Sequence, residues 1–356
     1  TSGQPNVAHT ISANIGSDSV SGEINIRVLF QPRFVYSANS GAGNSVSGFT
    51  INTSTGALST IGTFTSGANP YFVAADPYAR FLYVANHGGN SISVMAINQS
   101  TGALSHVSGS PFADAAGPYS LSVHPSGKFI YAGHDLANGV SAYKIDPTSG
   151  ALSVVQGSPF TAGTTPVAVY VEPGGKFLYV GDSASGANAR VFAIDQASGA
   201  LTQISGSPFA TINDAISVNV HPSGKFVYYA QYFAPTGIVS FSRDSVTGAL
   251  SLISGSPFAA GAAPGFVMTD VTGRFAYLAN SGDAVGTSAL SGYTIDQATG
   301  ALTQMAGSPF AGGANPISVA IDETVRFLYL ANTGSSNISG YTINATTGVL
   351  TAISGS

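Results

Sequence analysis

Between residues 215 and 220 (AISVNV), apolar and polar side chains alternate with a period of two, as in a strand with one buried face. His221-Pro-Ser-Gly224 breaks the alternation with a Pro and a Gly, which predicts a tight turn. Lys225–Ala230 (KFVYYA) is β-branched and aromatic and predicts a second strand. After a variable loop, Ile238–Ser242 (IVSFS) predicts a third. Asp244-Ser-Val-Thr-Gly248 predicts another turn, whose Asp accepts backbone N–H bonds and whose Gly takes a positive φ. Leu250–Ile253 begins a fourth strand, which Gly255-Ser-Pro-Phe258 is expected to end.

This unit recurs along the chain. A basic residue followed by Phe-x-Tyr stands at Arg33, Arg80, Lys128, Lys176, Lys225, Arg274 and Arg326, with spacings of 47, 48, 48, 49, 49 and 52. The turn Asn or Asp recurs at Asn52, Asn98, Asp146, Asp195, Asp244, Asp296 and Asn344, each with a Gly four residues later. Seven such units predict an all-β fold, a seven-bladed β-propeller of four-stranded antiparallel blades. The Phe and Tyr of the second strand are expected to fill the space between neighbouring blades. Glu23–Phe30 aligns without a gap with the first strand of other units, so residues 23–356 read as one propeller domain with seven complete blades. Ring closure would then rest on blade-to-blade packing.

The repeated Phe-[Leu/Val/Ile]-Tyr-Val-Ala-Asn, as in Phe81–Asn86 (FLYVAN), resembles the YVTN-type repeats of surface-layer propellers. The whole unit, with Pro-x-Gly-Lys-Phe and Thr-Gly-Ala-Leu, is similar to the lactonase-family seven-bladed propellers, among them 6-phosphogluconolactonase and carboxymuconate cycloisomerase relatives. The resemblance covers residues 24–356 and implies the same fold. It also implies a lactone-directed site with a cluster of His, Glu and Arg, but no motif around the candidate positions matches, so no catalytic residue is carried over.

Composition narrows the chemistry. Only 8% of the 356 residues are charged, and the net charge is −5, which argues against nucleic acid as a partner. There is no Cys, hence no disulfide framework and no thiolate ligand or nucleophile. No apolar run is long enough for a transmembrane segment. The abundance of Gly, Ser, Thr and Asn suits an extracellular or cell-surface protein. The first residue, Thr1, suggests a processed form from which a secretory signal has been removed. No nucleotide loop or contiguous acidic cation loop occurs, so no cofactor and no metal are expected.

Repetition separates scaffold from signal. His124 and His221 align with Asp76, Glu172, Asp270 and Asp322 before the first hairpin turn and read as turn residues. Loops between second and third strands, and loops between blades, should open on one face around the central tunnel. That face should carry His87, His134, Asp135, Asp182, Arg190 and Asp283 from the first loop set, and Asp114 and Asp214 from the second. Lys144 and Arg243, late on third strands, are expected to point to solvent. His134 with Asp135, or His87, is a candidate general base, and Arg190 a candidate carbonyl polariser. Tyr232 and Phe233 are singular aromatics that would stack on a sugar, dock a partner or plug the tunnel. One Arg is thin provision for an anionic lactone.

Residues 1–22 belong to no blade. Within them Val7, His9, Ile11, Ala13 and Ile15 alternate, so residues 7–15 are a candidate pairing strand. Such a strand would add to an open blade edge, within the chain or between chains. Asn52, Asn98, Asn337 and Asn344 begin Asn-x-Ser/Thr sequons and are glycosylation candidates; a glycan or surface partner is thereby admitted. Two functions are therefore weighed. The first is a non-enzymatic extracellular propeller acting in surface or filament assembly or adhesion, with the N-terminal strand as self-association connector. The second is a secreted lactonase-like hydrolase of an uncharged or weakly charged lactone.

Overall fold

The structure is a computed structural model that describes residues 33–40, 43–184, 188–211, 214–232, 237–282 and 289–354. The candidate pairing strand at residues 7–15 and the strand expected at residues 23–30 lie outside the described residues, as do Phe233 and Asp283.

Seven antiparallel sheets follow one another in sequence, as a seven-bladed β-propeller requires. In blade 5 the strands run Ser217–Val220, Phe226–Gln231, Gly237–Arg243 and Leu250–Leu252, close to the bounds read from the alternation. The first strands of blades 2 to 7 stand side by side around the axis. Phe72 of blade 2 and Phe266 of blade 6 meet there, with ring centroids 6.2 Å apart. Second strands such as Phe81–Asn86 and Phe226–Gln231 are buried at every position, because each lies inside its sheet with blades on both faces. Among the described residues no helix is long and apolar enough to cross a membrane.

The Gly-Ser-Pro-Phe phrase does not end the fourth strand; it interrupts it. In blade 2, Leu104–His106 pairs with the third strand Ser91–Ile97, the chain loops out, and Phe112–Ala113 returns to pair with the same strand. The detour leaves the Val94 N–H without a backbone acceptor, and the Oγ of Ser110 supplies one at 2.9 Å. Ser158, Ser207, Ser256 and Ser308 do the same in the next four blades, so the phrase's Ser completes each ladder. Blade 1 lacks the phrase, and its outer strand Leu58–Thr65 runs unbroken, with a single bulge at Gly48/Phe49.

Each blade is latched to the next. The Phe that opens a second strand packs under the Gly of the neighbouring Asx turn. In every blade but the second, where the buried Tyr83 hydroxyl has no partner, the Tyr two residues on donates to that glycine's carbonyl. Tyr131 reaches Gly199 at 3.0 Å, Tyr179 reaches Gly248 at 3.2 Å and Tyr277 reaches Gly348 at 2.6 Å. The same latch closes the ring. Tyr329 of blade 7 donates to Gly56 of blade 1 at 2.8 Å, and Arg326 donates to the Thr53 carbonyl at 2.6 Å. Gly56 has φ +76°, and a Cβ there would lie 2.4 Å from the Phe327 ring, so this turn needs glycine twice over.

The turn histidines join this scaffold: His124 Nε2 lies 2.8 Å from the Gly175 carbonyl and His221 Nε2 2.8 Å from that of Gly273. Burial, the first cause in each, lowers their pKa and favours the neutral ring. Arg243 differs from expectation. Its side chain is buried, pairs with Glu172 of the preceding blade at 3.3 Å and lies over the Phe177 ring, so it fastens blade 5 to blade 4. Lys144 is exposed.

Candidate functional site

The loops between second and third strands and those between blades do share one face. Backbone bonds join them, from His87 N to Asn69 O at 3.0 Å and from Ser183 N to Thr165 O at 3.0 Å. Beneath this mouth runs a repeated polar position, five residues beyond the Phe of each second strand. It holds Asn39, Asn86, His134, Asp182, Gln231, Asn280 and Asn332. In blade 2, Asn86 accepts from Gly67 N of the inter-blade loop at 3.0 Å and donates to Ser91 and Ser93 at 3.1 and 2.9 Å. The side chain ties the inter-blade loop and the third strand, Ser91–Ile97, to the end of the second.

His134 and Asp182 are charged versions of this tie. Asp182 accepts from the backbone N–H groups of Thr164, Thr165 and Ala184 at 2.9–3.1 Å. Its carboxyl is held below the usual range; burial acts the other way, and the hydrogen bonds win. Arg190 lies beside it, both side chains crowding Gly163. His134 Nδ1 sits 2.7 Å from the Gly139 carbonyl and Nε2 3.3 Å from Asp114, and Tyr143 donates to Asp114 at 2.7 Å. Both side chains of the His134–Asp114 pair are fully buried. Two acceptors facing the ring favour the imidazolium. Asp214 is buried where the chain enters blade 5.

This pair predicts a pH window. Burial opposes both charges, but each partner stabilises the other, so the Asp114 pKa is lowered and the His134 pKa raised. The Asp contribution is present above the unfolded pKa of about 3.9 and lost as pH falls through the folded value. The His contribution is present below about 6.5 and lost as pH rises through the folded value. The stability difference between wild type and Asp114→Asn, measured by urea denaturation, is therefore expected to peak between about pH 4 and 6.5 and to shrink on both sides.

Above this layer, one residue further along, His87 of blade 2 and Asp135 of blade 3 meet at the mouth. His87 Nε2 lies 2.8 Å from both carboxylate oxygens of Asp135. Their side chains are 22% and 27% exposed, so solvent reaches them. Gly117, at φ +66°, makes room: a Cβ there would lie 2.3 Å from Asp135 Oδ1. Tyr71 and Tyr119 open the first strands of the same two blades. Their hydroxyl oxygens are 2.9 Å apart and their ring centroids 4.3 Å. Both rings flank the His87 imidazole, at 6.0 and 6.5 Å. Tyr232 of blade 5 is near enough to act electrostatically on the Tyr119 hydroxyl. Leu136, beside Asp135, is 65% exposed.

The structure thus joins Asp135 to His87 rather than to His134, and leaves Arg190 with Asp182 in blade 4. Tyr71 and Tyr119 escape a reading of the sequence that sorts singular residues by charge. Sorting tyrosines in the same way finds them, since the same register holds Val167, Ile216, Gly265 and Ile317 in blades 4–7. Charge is polarised along the axis. Among the described residues Arg190 is the one Lys or Arg at the mouth end, against Asp114, Asp135, Asp182 and Asp214. Asn52, Asn98 and Asn344 are exposed on the opposite face, where each side chain accepts from its own turn, while Asn337 starts a third strand at the mouth end.

A closed ring of seven blades with a His–Asp pair at one tunnel mouth defines the class of the protein, a seven-bladed β-propeller. The sequence matches the family described as lactonase, 7-bladed beta-propeller, over residues 4–119, 108–211 and 255–356. The chain belongs to this family. No curated protein matches it. Among solved structures, it is similar to a candidate 6-phosphogluconolactonase from Bacteroides uniformis, at 17% identity and a TM-score of 0.75, covering 91% of this chain and 96% of that one. A second, from Bacteroides fragilis, is 19% identical with a TM-score of 0.75, covering 90% and 94%. The periplasmic gluconolactonase of Pseudomonas aeruginosa is 18% identical with a TM-score of 0.71, covering 90% and 94%. At these identities the likeness concerns the fold.

Proposed function

We propose that the protein is a lactone hydrolase whose general base is His87, oriented by Asp135. The observation that carries this reading is the His87–Asp135 contact at a solvent-reached mouth. With Nε2–H donating to the carboxylate, Nδ1 is the basic nitrogen and takes a proton from water as the water attacks the lactone carbonyl. The carboxylate fixes the tautomer and stabilises the imidazolium that forms. Family membership and the gluconolactonase-type neighbours support this over an assembly role, which draws on residues outside the described part.

The charge distribution favours an uncharged lactone. A phosphate or several carboxylates would call for a group of Arg or Lys, and the described mouth carries one Arg, already beside Asp182. A panel of neutral aldonolactones and their phosphorylated counterparts, followed by pH-stat, tests both points. Neutral lactones are expected to be hydrolysed at least about tenfold faster, in kcat/KM, than phosphorylated ones, a difference of about 1.4 kcal/mol in the barrier. Preference for the phosphorylated substrates would contradict the neutral assignment, and no hydrolysis of any lactone would contradict the reaction.

A further inference from the structure

We propose that the paired hydroxyls of Tyr71 and Tyr119 are the carbonyl-binding element of this mouth, donating a hydrogen bond to the lactone oxygen as negative charge develops on it. The inference rests on the hydrolase reading above and adds to it the group that stabilises the oxyanion.

Three observations converge. With the hydroxyl oxygens 2.9 Å apart, one O–H donates to the other, and the accepting hydroxyl keeps its own proton for a third group. Such an O–H···O–H chain polarises its terminal donor. The two rings also flank His87, so a carbonyl held by the hydroxyls lies beside the base. Finally, tyrosine occupies this register in blades 2 and 3, which are the blades that supply His87 and Asp135. Burial above all, then Tyr71, Asp135 and Tyr232, hold the Tyr119 phenol far above its ordinary pKa, so it remains a donor across the working range.

The step balances. Water oxygen bonds to the carbonyl carbon while its proton passes to His87 Nδ1. The carbonyl π pair moves onto oxygen and is met by the tyrosine O–H. The pair returns, the ring C–O bond breaks, and the leaving alkoxide takes the proton from His87, giving a hydroxy acid. Neutral O–H donors suit an uncharged lactone, whose only developing charge is on that oxygen.

Tyr119→Phe and Tyr71→Phe keep the rings and remove the hydroxyls. Each is assayed for hydrolysis of a neutral lactone and, by calorimetry, for binding δ-valerolactam, a carbonyl probe that is not hydrolysed. The expected result is a kcat lower by about 10²–10³ for Tyr119→Phe, with a smaller rise in KM that parallels weaker lactam binding and a melting temperature lowered by a few degrees at most. Wild type that binds the lactam through Tyr119 yet cleaves no lactone would end the hydrolase reading and leave the carbonyl-binding role standing. Variants with wild-type kcat and lactam affinity, or wild type that neither binds nor cleaves, would overturn the proposal.

Discussion

Phe327→Ala is expected to lower the free energy of unfolding by about 3–5 kcal/mol, the cost of emptying a well-packed aromatic site. Phe327 is 3% exposed and packs with Ile51, Tyr329 and Ile353 in the cluster that joins blade 7 to blade 1. The six other blade junctions are also spanned by the polypeptide; this one is closed, among the described residues, by side-chain packing and hydrogen bonds. The variant should therefore unfold earlier in urea and over a broader range than the matching change Phe129→Ala, as the opened ring loses cooperativity. Tyr329→Phe removes only the 2.8 Å bond to Gly56 and should cost about 0.5–1.5 kcal/mol. A loss below about 1 kcal/mol for Phe327→Ala would mean that the ring closes through other contacts.

The second large effect falls on turnover. His87→Gln removes the basic nitrogen while keeping a polar side chain of similar reach, and kcat for a neutral lactone is expected to fall by about 10²–10⁴. Asp135→Asn should act through the same step by releasing the tautomer, so the double variant should be little worse than His87→Gln alone. His134→Asn places in blade 3 the residue that Asn86, Asn280 and Asn332 already use, with Ser141 at the register of Ser93. It should retain kcat within about tenfold, which separates the exposed histidine from the buried one.

Much of the scaffold was legible because its chemistry repeats. The Phe-x-Tyr strand, the Asx turn and the Gly-Ser-Pro phrase each recur, and their periodicity implied blades and inter-blade packing. What each repeat touches was not legible. Phe34 meets Gly102, and Phe129 meets Gly199, across a whole blade of intervening sequence. The Ser of the phrase also looked like part of a strand end, and only the ladder shows that it satisfies the third strand. The site was legible in its ingredients but not in its pairing. His134 and Asp135 are adjacent in sequence, yet His134 ends the second strand Phe129–His134 while Asp135 begins the loop that leaves it. One turns inward to Asp114, and the other reaches His87 in the preceding blade. His134 and Asp182 looked singular because their identities differ, while the position they fill is occupied by a polar side chain in every blade.

The most direct test is the hydrolysis of a neutral aldonolactone by wild type and His87→Gln, followed by pH-stat with spontaneous opening subtracted. A hydrolase based on His87 should show enzymatic turnover by wild type that falls at least about a hundredfold in the variant, with the variant's urea midpoint unchanged. Equal turnover by the two proteins, or none by wild type across the neutral panel, would contradict it.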